Sequence, residues 1–161
     1  MEIALELVKE LAKDDRMMWV VGGGEVVSEN DSKGIKEPEF SKGYLTVEAD
    51  NWHFHLGIDS VTGIQFVEAE SHEDLLSFYV RFSNAKEETL VRSYFPNPYL
   101  DDNLKRTSLQ ADRLQTFEAM REKYVGRDGI IFARRGSGNV PAIACGFGFV
   151  DDEGGNRAAA G

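Results

Sequence analysis

Phe78-Tyr79-Val80-Arg81-Phe82 and Leu90-Val91-Arg92-Ser93-Tyr94-Phe95 decide how this chain folds. In the first segment Phe78, Val80 and Phe82 alternate with Tyr79 and Arg81. In the second, Arg92 and Tyr94 share a face opposite Val91. Alternation with a period of two is the signature of a strand with two unlike faces. Asn84 to Glu88 is short and polar, so the two strands read as a hairpin.

Further strands precede this hairpin. Ile64-Gln65-Phe66-Val67-Glu68 is one, and Tyr44-Leu45-Thr46-Val47-Glu48-Ala49 is another, followed by an Asp50-Asn51 turn. After that turn comes Trp52-His53-Phe54-His55-Leu56. Here Trp52, Phe54 and Leu56 form a core-facing set, while His53 and His55 stand together on the other face. Met17-Met18-Trp19-Val20-Val21 is an apolar run suited to a buried strand. Gly22-Gly23-Gly24 then turns the chain towards Glu25-Val26-Val27-Ser28 as the returning strand. Residues 29–42 read as a loop or irregular edge.

Helices flank the strands. Ile3, Leu7, Val8 and Leu11 recur at helical spacing over residues 3–13. Thr107-Ser108-Leu109-Gln110 has the form of a capping box opening a second helix, whose Leu114, Phe117, Met120 and Tyr124 share one side. Ile130 to Ala133 and residues 140–150 read as two further strands joined by Gly136-Ser137-Gly138. The order of one helix, many consecutive strands, then a helix predicts an α+β fold with a large antiparallel sheet. Residues 1–150 read as a single domain and 151–161 as a flexible tail.

With 161 residues, 42% hydrophobic and 29% charged, the composition is that of a globular domain. A net charge of −10 disfavours nucleic acid and anionic membrane surfaces. No apolar run is long enough to span a bilayer, and Met1-Glu2-Ile3-Ala4-Leu5-Glu6 lacks the basic start of a leader. The single cysteine, Cys145, lies in an apolar run and reads as packing. Having one thiol fits a reducing cytoplasm.

Enzyme signatures such as G-x-S-x-G, H-E-x-x-H and C-x-x-C are missing from the sequence. His53 and His55 can be read as a solvated strand face, a cofactor-binding face or a pair of metal ligands. Asp59 could add a carboxylate to such a metal site, whereas His72 falls in a loop. Tyr79, Arg81, Arg92 and Tyr94 form a second group. If their strands neighbour the histidine strand, one face presents imidazole, phenol and guanidinium together, which suits a flat aromatic anion. Otherwise they decorate the wet side of an antiparallel sheet.

From residues 43 to 124 the chain resembles the HemS/ChuX/HutX-type haem-utilisation family of haem carriers and haem-degrading proteins. The resemblance is carried by Gly43-Tyr44-Leu45, His55-Leu56 and Ile64-Gln65-Phe66-Val67-Glu68. It continues through Leu76 to Phe82 and Leu90 to Phe95, and ends in the helix around Leu114 to Tyr124. Two departures stand out: Trp19-Val20-Val21-Gly22 lacks a histidine, and the 84–88 hairpin lacks a glycine.

The resemblance implies an intracellular carrier of haem or a related tetrapyrrole, acting in iron metabolism. It places a haem-contacting histidine, the axial metal ligand, at His55. The strand pattern adds His53 as a second metal ligand or distal hydrogen-bond donor, Arg81 and Arg92 as propionate partners, and Tyr79 and Tyr94 to complete the cofactor site. The runner-up is a haem-degrading enzyme of the same family, and a third reading is a dimerisation or scaffold domain that binds no haem. A homodimer is a further expectation.

Overall fold

The alternating strands assemble around the hairpin that the sequence singles out. The computed structural model describes residues 2–70 and 74–136. The postulated strand at 140–150, the Gly136-Ser137-Gly138 connection, the tail, Cys145 and His72 fall wholly or partly outside the described residues.

The elements run α1 (Glu2–Leu11), β1 (Met18–Val21), β2 (Ser28–Asp31), β3 (Glu39–Ser41), β4 (Tyr44–Glu48) and β5 (His53–Gly57). A 3₁₀ turn at Ile58–Ser60 leads to β6 (Gly63–Glu70), β7 (Leu76–Ser83), β8 (Thr89–Tyr94), α2 (Ala111–Tyr124) and β9 (Ile131–Arg135). Six strands form one sheet in the order β2-β1-β8-β7-β6-β9, and β3-β4-β5 form a second. Every pairing is antiparallel except β6 with β9, which the intervening α2 allows to run parallel. The α+β class and the two flanking helices are those expected. The division of the strands between two sheets is what the sequence pattern did not convey.

The core lies between the sheets. Phe66, Phe78, Val80, Phe82 and Val91 from the large sheet meet Leu45, Val47 and Leu56 from the small one. Trp19 reaches across to Phe54, ring centroids 6.0 Å apart. Helix α1 adds Ile3, Leu7, Val8 and Leu11, the stripe that its spacing predicts. Helix α2 docks through Phe117, whose ring meets Phe78 at 5.1 Å and Phe95 at 5.2 Å.

Two local expectations need correction. The returning strand begins at Ser28 rather than Glu25, because Gly22 already turns the chain with φ +84° and donates its N–H to the Leu90 carbonyl. The capping box does not form. Helix α2 starts after Gln110, which makes no side-chain cap bond and whose amide side chain instead donates to the Leu100 carbonyl at 2.6 Å.

A polar clamp ties α1 to the end of α2. The buried Tyr124 phenol donates towards Glu10 Oε2 (2.5 Å) and Glu6 Oε2 (2.9 Å). Lys123 also pairs with Glu10, and Arg127 with Glu6. Burial, then the two carboxylates, push the phenol far above its ordinary pKa, so it remains the proton donor. Burial works to raise Glu10, but Lys123 and Tyr124 outweigh it and hold the carboxyl below 4.5. Arg127 and then Tyr124 lower Glu6 in the same way.

A carboxyl with a lowered folded pKa adds stability above its unfolded value, and that contribution is lost as pH falls through the folded value. The melting temperature should therefore drop as pH goes below about 4.5. Tyr124→Phe should cost about 1.5 kcal/mol at neutral pH and flatten the acid limb relative to wild type. Thermal melts of both proteins across that range check it.

Candidate functional site

Strand β5 forms one edge of the small sheet and carries both histidines outward. The two-residue turn at Asp50-Asn51, closed by Ala49 N–H donating to the Trp52 carbonyl, sets the register. It places Glu48 opposite His53 and Thr46 opposite His55. Trp52 and Phe54 are half-buried and Leu56 buried on the inner side, while both imidazoles are exposed. Their ring centroids lie 5.3 Å apart. Tyr44, 55% exposed, stands further along the same face.

The two imidazoles differ in their surroundings. His55 Nδ1 lies 2.8 Å from Thr46 Oγ1, which leaves Nε2 directed outward. When Nδ1–H donates to the threonine oxygen, Nε2 holds a free lone pair, the form that ligates a metal. His53 instead sits opposite Glu48. That carboxylate is bonded to Lys36 at 2.5 Å and held below its ordinary pKa, chiefly by Lys36 and in smaller part by His53.

Tyr79, Arg81, Arg92 and Tyr94 come together, but elsewhere. They occupy β7 and β8, with Tyr79 opposite Tyr94 and Arg81 opposite Arg92. These strands are central in the large sheet and do not pair with β5. Since the small sheet packs on the other side of the large one, the core separates this group from the histidines. The expectation of imidazole, phenol and guanidinium on one face is thus not met.

Nor is the arginine face a wet one: Tyr79 and Arg92 are 0% exposed. The tyrosine rings lie 4.6 Å apart and the Arg92 guanidinium stands 6.0 Å from each. Arg81 donates to Thr89 Oγ1 and to the Glu87 carbonyl, both at 2.7 Å. Central strands bury both faces, so alternation here separates two packed environments rather than core from solvent.

Among the described residues no group of three His, Cys, Asp or Glu converges as a metal site. Asp59 does not join the histidines in such a group. Two imidazoles alone make a poor cage for a bare cation, which needs about four ligands. They suit a metal that brings ligands of its own: haem iron has four pyrrole nitrogens and asks the protein for one or two more. The donor set therefore fits haem better than a free ion. A separate cavity, lined by no residue of β4 or β5, opens at one end of the large sheet.

Sequence reasoning missed Thr46. Its position follows from counting outward from the Asp50-Asn51 turn, which places it opposite His55. No helix among the described residues is long and apolar enough to cross a membrane.

A protein-family model matches residues 5–120, more than half of the chain. No curated protein matches the chain. Among solved structures, a protein of Agrobacterium tumefaciens is similar with a TM-score of 0.56 at 21% identity, over 77% of this chain and 66% of that one. ChuX is similar with a TM-score of 0.56 at 13% identity, over 76% of this chain and 70% of ChuX. A further structure, of "the Heme Binding Protein ChuX", gives 0.55 at 13% identity, over 76% and 71%. The chain thus spans about two thirds of the length of the first of these proteins. At such identities the likeness is one of fold. With the family model spanning residues 5–120, the chain belongs to the HemS/ChuX/HutX-type family.

Proposed function

We propose that this protein binds haem non-covalently on the exposed face of the small sheet and carries it within the cell. His55 is the axial ligand through Nε2, and His53 is a second ligand or a hydrogen-bond donor beside the iron. The observation that carries this reading is the 2.8 Å contact between Thr46 Oγ1 and His55 Nδ1 on an open face. It orients one imidazole with its remaining nitrogen outward. The similarity to ChuX, a heme-binding protein by its description, adds support at the level of the family.

In this reading Arg81, Arg92, Tyr79 and Tyr94 of the same protomer do not reach a haem seated on His55. Lys36, bonded to the Glu48 that faces His53, is a cation on the histidine side. An open face leaves one side of a macrocycle to be covered, and a homodimer in a cytoplasmic setting belongs to the same proposal.

The test is titration of the protein with haemin, where a saturable Soret shift at one haem per chain is expected. A shift that survives equally in His55→Ala and His53→Ala would sink the ligand assignment. The enzymatic alternative, haem degradation, is distinguished by adding reductant and oxygen to the haem-loaded protein. A carrier returns the haem without a ring-opened product as its turnover species. A scaffold domain gives no Soret shift at all.

Thr46 supplies a finer expectation. Replacing a residue that orients a ligating histidine typically costs about 10- to 100-fold in affinity. Thr46→Val keeps the branched shape that suits a strand but removes the oxygen, and should lower haem affinity by that amount. Thr46→Ser restores the oxygen and should recover most of the loss. Nitrogen chemical shifts of the ligand-free protein should also show less Nδ1–H tautomer of His55 in the valine variant.

A further inference from the structure

The cavity at the end of the large sheet has a volume of about 730 Å³ and lies between the start of β1, the turn after β2 and residues 96–104. Small-molecule sites usually measure about 300–1,000 Å³, with apolar walls and a few polar groups. Met17, Met18, Tyr94 and Leu100 provide such walls. Methionine thioethers adapt readily to the outline of an apolar guest.

The mouth of the cavity holds Leu104 in an unusual way. Its φ is +61°, a left-handed conformation that costs a branched L-residue about 1–2 kcal/mol. Its side chain is 56% exposed and lines the cavity. The loop that imposes this is well tied. The Asp101 carboxylate accepts the N–H groups of Asn103 (2.8 Å) and Lys105 (3.0 Å), and Leu104 N–H donates to the Asp101 carbonyl at 2.9 Å. Helix α2 anchors the loop base, with Arg113 and Gln110 both donating to the Leu100 carbonyl. The fold thus holds a bulky aliphatic side chain over an apolar-walled space that could cover it.

The charges at the rim sort themselves by partner. Arg113 is paired with Asp102, and Arg16 with Asp14 while also lying in the field of Asp15. Asp101 is engaged by loop amides, and Asp31 accepts the backbone N–H of Lys33. Lys33 lines the cavity, and its ammonium has no carboxylate partner among the described residues.

We propose that this cavity binds an apolar organic anion, with its hydrocarbon or aromatic body between Met18 and Leu104 and its anionic group at Lys33. Nothing in this site requires a metal, so it stands apart from the histidine face.

Anilinonaphthalene sulfonate, an aromatic anion that fluoresces in apolar surroundings, is the probe. Titration of the full chain should give saturable binding at one site. Leu104→Asp and Lys33→Glu should each weaken it by about tenfold or more, Lys33→Arg should retain it, and His55→Ala should leave it unchanged. Leu104 and Lys33 are exposed, so far-ultraviolet circular dichroism and melting should match wild type in these variants. Equal binding in wild type, Leu104→Asp and Lys33→Glu overturns the proposal, as does non-saturating uptake of many dye molecules. Loss of dye binding in His55→Ala would overturn the separation of the two sites.

Discussion

In His55→Ala the Soret shift on titration with haemin should be lost, and the affinity should fall by more than about 100-fold, beyond the range usual for losing a residue that only orients a ligand. In His53→Ala the shift should persist with a smaller loss. The asymmetry rests on the cross-strand neighbours. Thr46 holds the Nδ1 side of His55 at 2.8 Å and leaves Nε2 free. His53 faces Glu48, whose carboxylate is bonded to Lys36. Both histidines are exposed, so neither substitution leaves a cavity or an unpaired buried group, and folding should be unaffected. Absorbance titrations of the two single variants and the double variant check this. Equal losses in the two single variants would make the pair a joint ligand set. Greater loss in His53→Ala would reverse the roles.

Much of this arrangement was legible because strand alternation is a strong local signal. It gave the hairpin of β7 and β8, the inward set Trp52, Phe54 and Leu56, and the outward His53 and His55. The turn at Asp50-Asn51 carried more than was taken from it, since it alone fixes Thr46 opposite His55. What alternation lacks is any record of which sheet a strand joins. The step from β5 to β6 through Ile58–Ser60 looks like an ordinary connection in sequence, yet it moves the chain from the small sheet to the large one. For the same reason Arg81 and Arg92 read as a wet face. Their burial depends on β7 and β8 being central in a six-stranded sheet, a property of non-local pairing. The parallel docking of β9 beside β6 is non-local too. Leu104 was illegible in another way: its left-handed backbone follows from the Asp101 side chain gathering the loop amides, and no periodicity reports that.

Phe117→Ala should be the most destabilising of the substitutions considered, by about 3–5 kcal/mol. Only Phe117 and Tyr124 of α2 are buried, so the helix docks on the sheet through one ring and a clamp at its end. The Phe117 ring is 2% exposed and touches Phe66, Phe78, Phe95 and Phe132, which come from three strands and the end of β8. Truncation removes the transfer free energy of the ring and leaves a cavity whose walls belong to a hydrogen-bonded sheet that cannot collapse inward. Against a net stability of roughly 5–15 kcal/mol for a domain, that loss is a large fraction. Phe117→Leu, which fills most of the space, should cost about 1–2 kcal/mol. Urea unfolding followed by circular dichroism measures both, and a shifted midpoint with unchanged slope is the expected form. The histidine face lies on the far side of the small sheet from this ring, so haemin affinity of the folded Phe117→Leu variant should equal that of wild type. A parallel fall in affinity and stability would mean that the position of α2 reaches β5 through the core and that the site is not carried by the β4–β5 hairpin alone.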